Sequence, residues 1–258
     1  MLSRVSLWAF VAAVAACGAD SPREVAELLA RYYGHDFATP VYIPAMALIG
    51  QLRLGHAEEV QRLAAPYLDG SKDSLAGVTP SHLAGHLVFA ELADLTHDAR
   101  AVGRVNAAAN LKFTAWDDMS DAVFMGCPLY AAAGEYDLAL THLRNMQKLC
   151  LRSDGLYRHS PLSDAAWGRG NAFPALGLAL ALSKIPREHP AFAPMLADFR
   201  KHIAVLSRFQ TSAGMWREVI DYPASYEEFS ATAMIGTAMA RGIRNGWLDG
   251  NKYQAFVG

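Results

Sequence analysis

Apolar residues recur at three- and four-residue intervals along almost the whole chain, the spacing that places them on one face of an α-helix. The pattern predicts helices over 22–33, 41–54, 57–68, 80–95, 98–111, 119–133, 136–151, 171–184, 190–210 and 228–246. Helix-breaking residues separate them: Gly34, Gly55-His56, Asp69-Gly70, Gly77, Gly134, Asp154-Gly155, Pro186 and Gly214. Ser21-Pro22-Arg23-Glu24 has the chemistry of a helix start, with a hydroxyl cap, proline in the first turn and an acid behind it. No alternating β-branched run is long enough for a central strand, although short extended pieces fit near 155–160 and 215–221.

Helices of similar length, joined by alternating short and long connections, pair antiparallel with their neighbours. Such pairs stack into a solenoid or close into a ring. A solenoid carries a repeated consensus, and none recurs here, so the expectation is an all-α toroid of helical hairpins. The loops at one end of a ring form a concave site. The long loops are 112–118, 152–170 and 211–227.

Composition supports a large core: 52% of the 258 residues are hydrophobic and 19% charged. A net charge of −2 with scattered Lys and Arg argues against a nucleic-acid partner. Met1-Leu2-Ser3-Arg4 followed by the apolar run Val5 to Ala16 reads as an export signal, too short to span a bilayer. Its end, Val14-Ala15-Ala16-Cys17, resembles a lipoprotein cleavage box with Cys17 as the lipidated residue. Cleavage after Ala19 and a buried first helix are the alternatives. The expectation is an exported protein, periplasmic or extracellular, with residues 1–20 as signal and 21–258 as one domain. Cys127 and Cys150 fall in apolar helical patterns and read as buried thiols. No CxxC, HExxH or phosphate loop is present. His82 and His86 share one helix face without a third ligand, so neither metal nor cofactor is expected.

Three stretches carry candidate chemistry. In 116-WDDMSDAVFMGCPLY-130, Asp117, Asp118 and Asp121 crowd ahead of an apolar run. A carboxylate at such a boundary is paired, capped or used. In 164-DAAWGRGNAFPALGLALALSKIP-186, Trp167, Arg169, Asn171 and Phe173 alternate with small residues. An aromatic plane, a guanidinium and an amide together suit a sugar acid; a surface Arg169 and a core Trp167 are the plainer reading. In 213–249, Trp216 lines a cleft or plugs the core, and Glu228 is either a site residue or half of a capping box with Ser225. His159, in the loop 154–161, is structural or titrates in a site.

The motifs Asp121-Ala-Val-Phe-Met125-Gly-Cys-Pro128, Gly155-Leu156-Tyr157-Arg158-His159 and Trp167-Gly168-Arg169-Gly170-Asn171-Ala172-Phe173 come in order along the chain. So do Gly214-Met215-Trp216-Arg217, Glu228 with Ser230 and Thr232, and Gly242-Ile243-Arg244-Asn245-Gly246-Trp247. As a set they resemble the unsaturated uronyl hydrolases, glycoside hydrolase families 88 and 105, and family 105 more closely. The resemblance runs from about 117 to 250.

It implies an (α/α)6 toroid that removes a 4,5-unsaturated uronic acid from the non-reducing end of oligosaccharides left by a polysaccharide lyase, with rhamnogalacturonan or pectin products leading. An acid protonates C4 of the enol ether, water adds at C5, and the hemiketal collapses. Such chemistry needs one placed acid rather than the usual carboxylate pair. By position Asp121 is the acid. Arg169 takes the uronate, Trp167 and Phe173 pack on the sugar, His159 and Asn171 bond its hydroxyls, and Trp216 and Glu228 complete the site. Burial in the run 122–130 would raise the acid's pKa; Asp117, Asp118 or Ser120 would cap its helix.

The chain departs from the family in four ways. Phe173 stands where a tryptophan is usual, 107-AAANLKFTAW-116 has no histidine, and Thr79-Pro80-Ser81-His82 has no acid. The twelve-helix ring would lack its closing pair, so the expectation is a fragment, an open ring, or a helix from before residue 40 that substitutes. A carbohydrate-binding toroid without turnover and a helical scaffold for protein partners are the competing functions.

Overall fold

A computed structural model describes residues 21–111 and 118–257. The leader-like segment, Cys17 and Asp117 lie outside the described residues. The described chain is a succession of helical hairpins, with helices α1 Pro22–Ala30, α2 Tyr42–Leu54, α3 Ala57–Leu68, α4 Pro80–Gly85, α5 Leu87–Thr96, α6 Ala99–Asn110, α7 Ala122–Ala132, α8 Tyr136–Cys150, α9 Gly168–Leu182 and α10 Phe192–Leu206. A two-stranded hairpin follows, β1 Trp216–Arg217 and β2 Glu227–Glu228, then α11 Phe229–Arg244 and the short α12 Gly250–Tyr253.

The helices sort into an inner and an outer layer by hydrophobic pattern. In α7 every residue from Ala122 to Ala131 is buried, and α9 is buried almost throughout. A helix apolar on all sides is stable only inside. Their hairpin partners α8 and α10 are amphipathic and bury one stripe, such as Ala139, His142, Leu143 and Met146 on α8. The inner layer comprises α2, α4 with α5, α7, α9 and α11.

These inner helices run parallel. Their N-terminal residues meet at one end: Tyr42, Phe124 and Phe173 form a ring cluster with centroids 5.2–6.0 Å apart. Their C-terminal residues meet at the other: Arg53 pairs with Glu91, Lys184 with Asp94, and Arg241 Nη1 donates to Ser183 Oγ. That alignment is the helical toroid read from the sequence. Between the two ends α2, α5, α7, α9 and α11 enclose a mostly apolar cavity of about 680 Å³.

Two local expectations are corrected. The helix read over 80–95 is broken at His86, whose buried ring bonds His82 O through Nδ1 and Ser74 Oγ through Nε2. Both nitrogens that a metal would need are therefore engaged. Ser21 caps α1 as read, its Oγ accepting from Glu24 N–H, but among the described residues the caps expected at the starts of α7 and α11 do not form. Asp121 itself is the N-cap residue of α7 without a side-chain cap bond, and Glu228 occupies that position for α11. Ser225 Oγ instead accepts from Val219 N–H. Cys127 and Cys150 are free, buried thiols.

Candidate active site

The N-terminal ends of α2, α7, α9 and α11 converge with the loop 152–166 and the β1–β2 hairpin. Unsatisfied N–H groups and the helix dipole make such an end favourable to anions. Asp121 opens α7. Burial pushes its carboxyl above the ordinary carboxylate range, while the charges of His159 and Arg169 pull part of the way back. A recess of about 120 Å³ lies beside it, lined by Thr79, Ser81, Met119 and Met125. The hydroxyls of Thr79 and Ser81 stand where the family resemblance led us to expect a second acid.

His159 is held next to Asp121 by backbone. Ser120 N–H donates to His159 O at 3.1 Å, and His159 N–H donates to Ala165 O at 2.9 Å. Its ring meets Trp167 edge to face at 6.5 Å. Trp167 is the N-cap residue of α9 and bridges to Val219, so two loops fix it.

Arg169, in the first turn of α9, donates from Nη1 to Glu228 Oε1 at 2.9 Å. Glu228 also accepts from Ser230 Oγ and is buried, whereas the Arg169 side chain is 49% exposed. The ion pair is therefore built from below and open above. It holds one arm of the guanidinium and leaves other donors of the planar fork for a ligand. Gly168 permits this packing. A Cβ there would lie 2.4 Å from Arg217 O and 3.2 Å from Glu228 Oε2, so only glycine lets α9 start against the hairpin. Among the described residues, Glu228 Oε2 has no hydrogen-bond partner.

The structure brings Asp121, His159, Trp167, Arg169 and Glu228 together. Phe173 lies one turn below Arg169 in the cavity wall, against Phe124 and Tyr42. Asn171 and Trp216 are turned away from the cleft. Asn171 is fully buried; its Oδ1 accepts from Tyr157 N–H at 2.8 Å, and its Nδ2 donates to Tyr157 O and Trp167 O at 2.9 and 3.0 Å. It clamps the loop carrying His159 to the start of α9. Trp216 is buried, with Nε1 donating to Leu206 O at 2.8 Å. Both act through the scaffold.

Tyr42 was not singled out from the sequence. Burial and the Asp121 charge raise its phenol pKa, and Arg169 lowers it. Its phenol therefore keeps its proton and lies within electrostatic reach of both the acid and the guanidinium. Its one signal was its place at the start of an inner helix. Ser120 was expected only as a cap; it is fully buried, and its Oγ has no hydrogen-bond partner among the described residues.

The fold is that of helical-toroid carbohydrate enzymes. A solved glycosyl hydrolase family 88 protein from Bacteroides vulgatus superposes with a TM-score of 0.73, at 16% identity, over 91% of this chain and 80% of that one. The family model described as Glycosyl Hydrolase Family 88 matches residues 89–257, and the chain belongs to that family. An unsaturated rhamnogalacturonyl hydrolase of Bacillus subtilis, YesR, is 40% identical over 78 residues, 30% of this chain and 23% of the relative. An unsaturated 3S-rhamnoglycuronyl hydrolase of Formosa agariphila is 35% identical over 95 residues, 35% of this chain and 25% of the relative. The matched stretch thus spans about a quarter of each of these two relatives.

Proposed function

We propose that this chain is an exported hydrolase that removes a 4,5-unsaturated uronic acid from the non-reducing end of lyase-generated oligosaccharides, pectin-type products first among them. The observation that carries the reading is the placement of one buried, pKa-raised carboxyl, Asp121, within electrostatic reach of Arg169 and His159.

Arg169 takes the uronate carboxylate with the donors that Glu228 does not hold. Trp167 covers the sugar face, and His159 and Tyr42 bond its hydroxyls. Asp121, whose pKa burial raises, delivers its proton to C4 of the C4=C5 enol ether. Positive charge develops at C5 and on the ring oxygen. The ionised Asp121 then takes a proton from water as the water oxygen bonds to C5, which restores the acid. The C5 hemiketal opens to a ketone, and C1, now a hemiacetal, releases the aglycone as an alcohol and becomes an aldehyde. One water is consumed, and no cofactor or nucleophilic side chain enters the scheme.

Turnover in heavy water tests this route: one solvent deuterium is expected at C4 of the released keto acid. Solvent oxygen is expected at C5 when the water is ¹⁸O-labelled. Solvent oxygen at C1 with no deuterium at C4 contradicts it. The alternative, a binding protein without turnover, is favoured by the hydroxyls of Thr79 and Ser81 where an acid was expected. It predicts saturable binding of the same sugars with no product.

A further inference from the structure

The central cavity takes no part in the uronate scheme, and its two ends differ in chemistry. Neither Asp121 nor Arg169 lines it; Met46, Ile49, Leu87, Leu176, Leu180 and Met234 form much of its wall. Its floor, at the C-terminal ends of the inner helices, is charged. There Arg53 pairs with Glu91, Lys184 pairs with Asp94, and Arg241 completes the lining. Tyr42 and Arg53 mark the two ends on α2, about 16 Å apart at 1.5 Å per residue.

The floor does not balance. Among the described residues that line the cavity, three cations face two carboxylates. Arg241 is the cation left over. Its Nη1 donates to Ser183 Oγ at 2.9 Å, and its Nε is shut off from water without a hydrogen-bond partner among the described residues. Burial and the charges of Arg53 and Arg244 hold its pKa below the ordinary arginine value, against the pull of Glu91. A partly buried cation without a counter-ion is costly, and an anion at that end removes the cost.

Two residues of α2 leave the cavity roomy and reachable. Gly50 lines it although glycine weakens a helix interior, and a Cβ there would meet nothing within 4 Å. Ile43 lies in the same wall yet is 66% exposed, which marks where the cavity meets solvent. Aliphatic walls offer a sugar few hydrogen bonds and suit an alkyl chain, and about 680 Å³ is an ordinary volume for a small-molecule site.

We propose that this cavity binds a straight-chain carboxylate of the fatty-acid type, its tail along α2, α5 and α9 and its carboxylate against Arg241. The span along α2 takes a chain of roughly ten carbons. The carboxylate brings the floor to three charges of each sign. The site is separate from the uronate cleft and does not depend on the hydrolase reading.

Calorimetry on the full chain with decanoate, octanoate, decanol and decyltrimethylammonium tests this. Decanoate is expected to bind at one site, about tenfold tighter than octanoate, which is two buried methylenes shorter. Decanol is expected to bind at least about tenfold more weakly than decanoate, for want of a charge-assisted bond, and the decyl cation not at all. Gly50→Leu, which fills the cavity and favours the helix, should abolish binding of decanoate and decanol alike. Arg241→Gln should bring decanoate down to the level of decanol, while Arg169→Gln leaves decanoate binding unchanged. Equal affinity for decanoate and decanol in the parent overturns the proposal, as does decanoate binding that survives Gly50→Leu or is lost in Arg169→Gln. Absence of decanoate binding overturns it too, and sedimentation of that chain as a dimer would give the cavity to a second copy.

Discussion

Arg169 Nη1 and Glu228 Oε1 meet at 2.9 Å across 59 residues of chain. That pair joins the first turn of α9 to the end of β2, one partner buried and the other half open. Substituting Glu228→Gln keeps a bond to Arg169 but removes the charge that orients it. Uronate binding is expected to weaken, with KM rising more than kcat falls, as steady-state kinetics would register. Arg169→Lys should raise KM about tenfold, because a point charge replaces a planar fork.

Asp121 carries the pH dependence. Its folded pKa is raised, so its contribution to stability is present in acid and is lost as pH rises through the folded value. At neutral pH the buried carboxylate is a net cost, and Asp121→Asn is expected to raise Tm there. The difference should vanish below about pH 4, the ordinary carboxyl value. Melting curves at several pH values check this. The same substitution should abolish turnover.

Asn171→Ala is expected to destabilise the fold by about 2–3 kcal/mol, because it leaves the Tyr157 backbone groups unsatisfied in the core. Activity should fall in step with the folded fraction, measured by denaturant titration. A variant with native Tm and a raised KM would instead place the amide on the sugar.

His86 and His142 are buried, and burial lowers each pKa to about 4. Both are neutral when folded and take up protons on unfolding. Stability is therefore full above their ordinary value near 6.5 and is lost as pH falls toward 4. Denaturant midpoints should drop across that window. His86→Gln should shrink the drop.

Gly177 lies where α9 crosses α7; a Cβ there would be 2.8 Å from Phe124 Cα and 2.9 Å from Phe124 N. Gly177→Ala should cost about 1–3 kcal/mol by overpacking, visible as a lower Tm.

The hairpin layout was legible because inner and outer helices differ in pattern: α7 and α9 are apolar all round, α8 is striped. Helix ends read less well, because Asp121 and Glu228 hold cap positions while their carboxylates face the site. Asp121, Arg169 and His159 stood out by residue type at a loop–helix boundary. Asn171 and Trp216 carry the same chemistry in the same motifs, yet point inward, and only tertiary packing tells them apart. Tyr42 was invisible because it reaches the site by ring closure, far from the motifs in sequence.

The most direct test of the account is the decay of the ultraviolet absorbance of the conjugated uronate in rhamnogalacturonan-lyase products, followed with the wild-type chain beside Asp121→Asn. Decay with the wild type and none with a folded Asp121→Asn is the predicted result. Equal decay with both would remove Asp121 as the acid, and no decay with either, alongside saturable binding of the same sugars, would show a binding protein in place of a hydrolase.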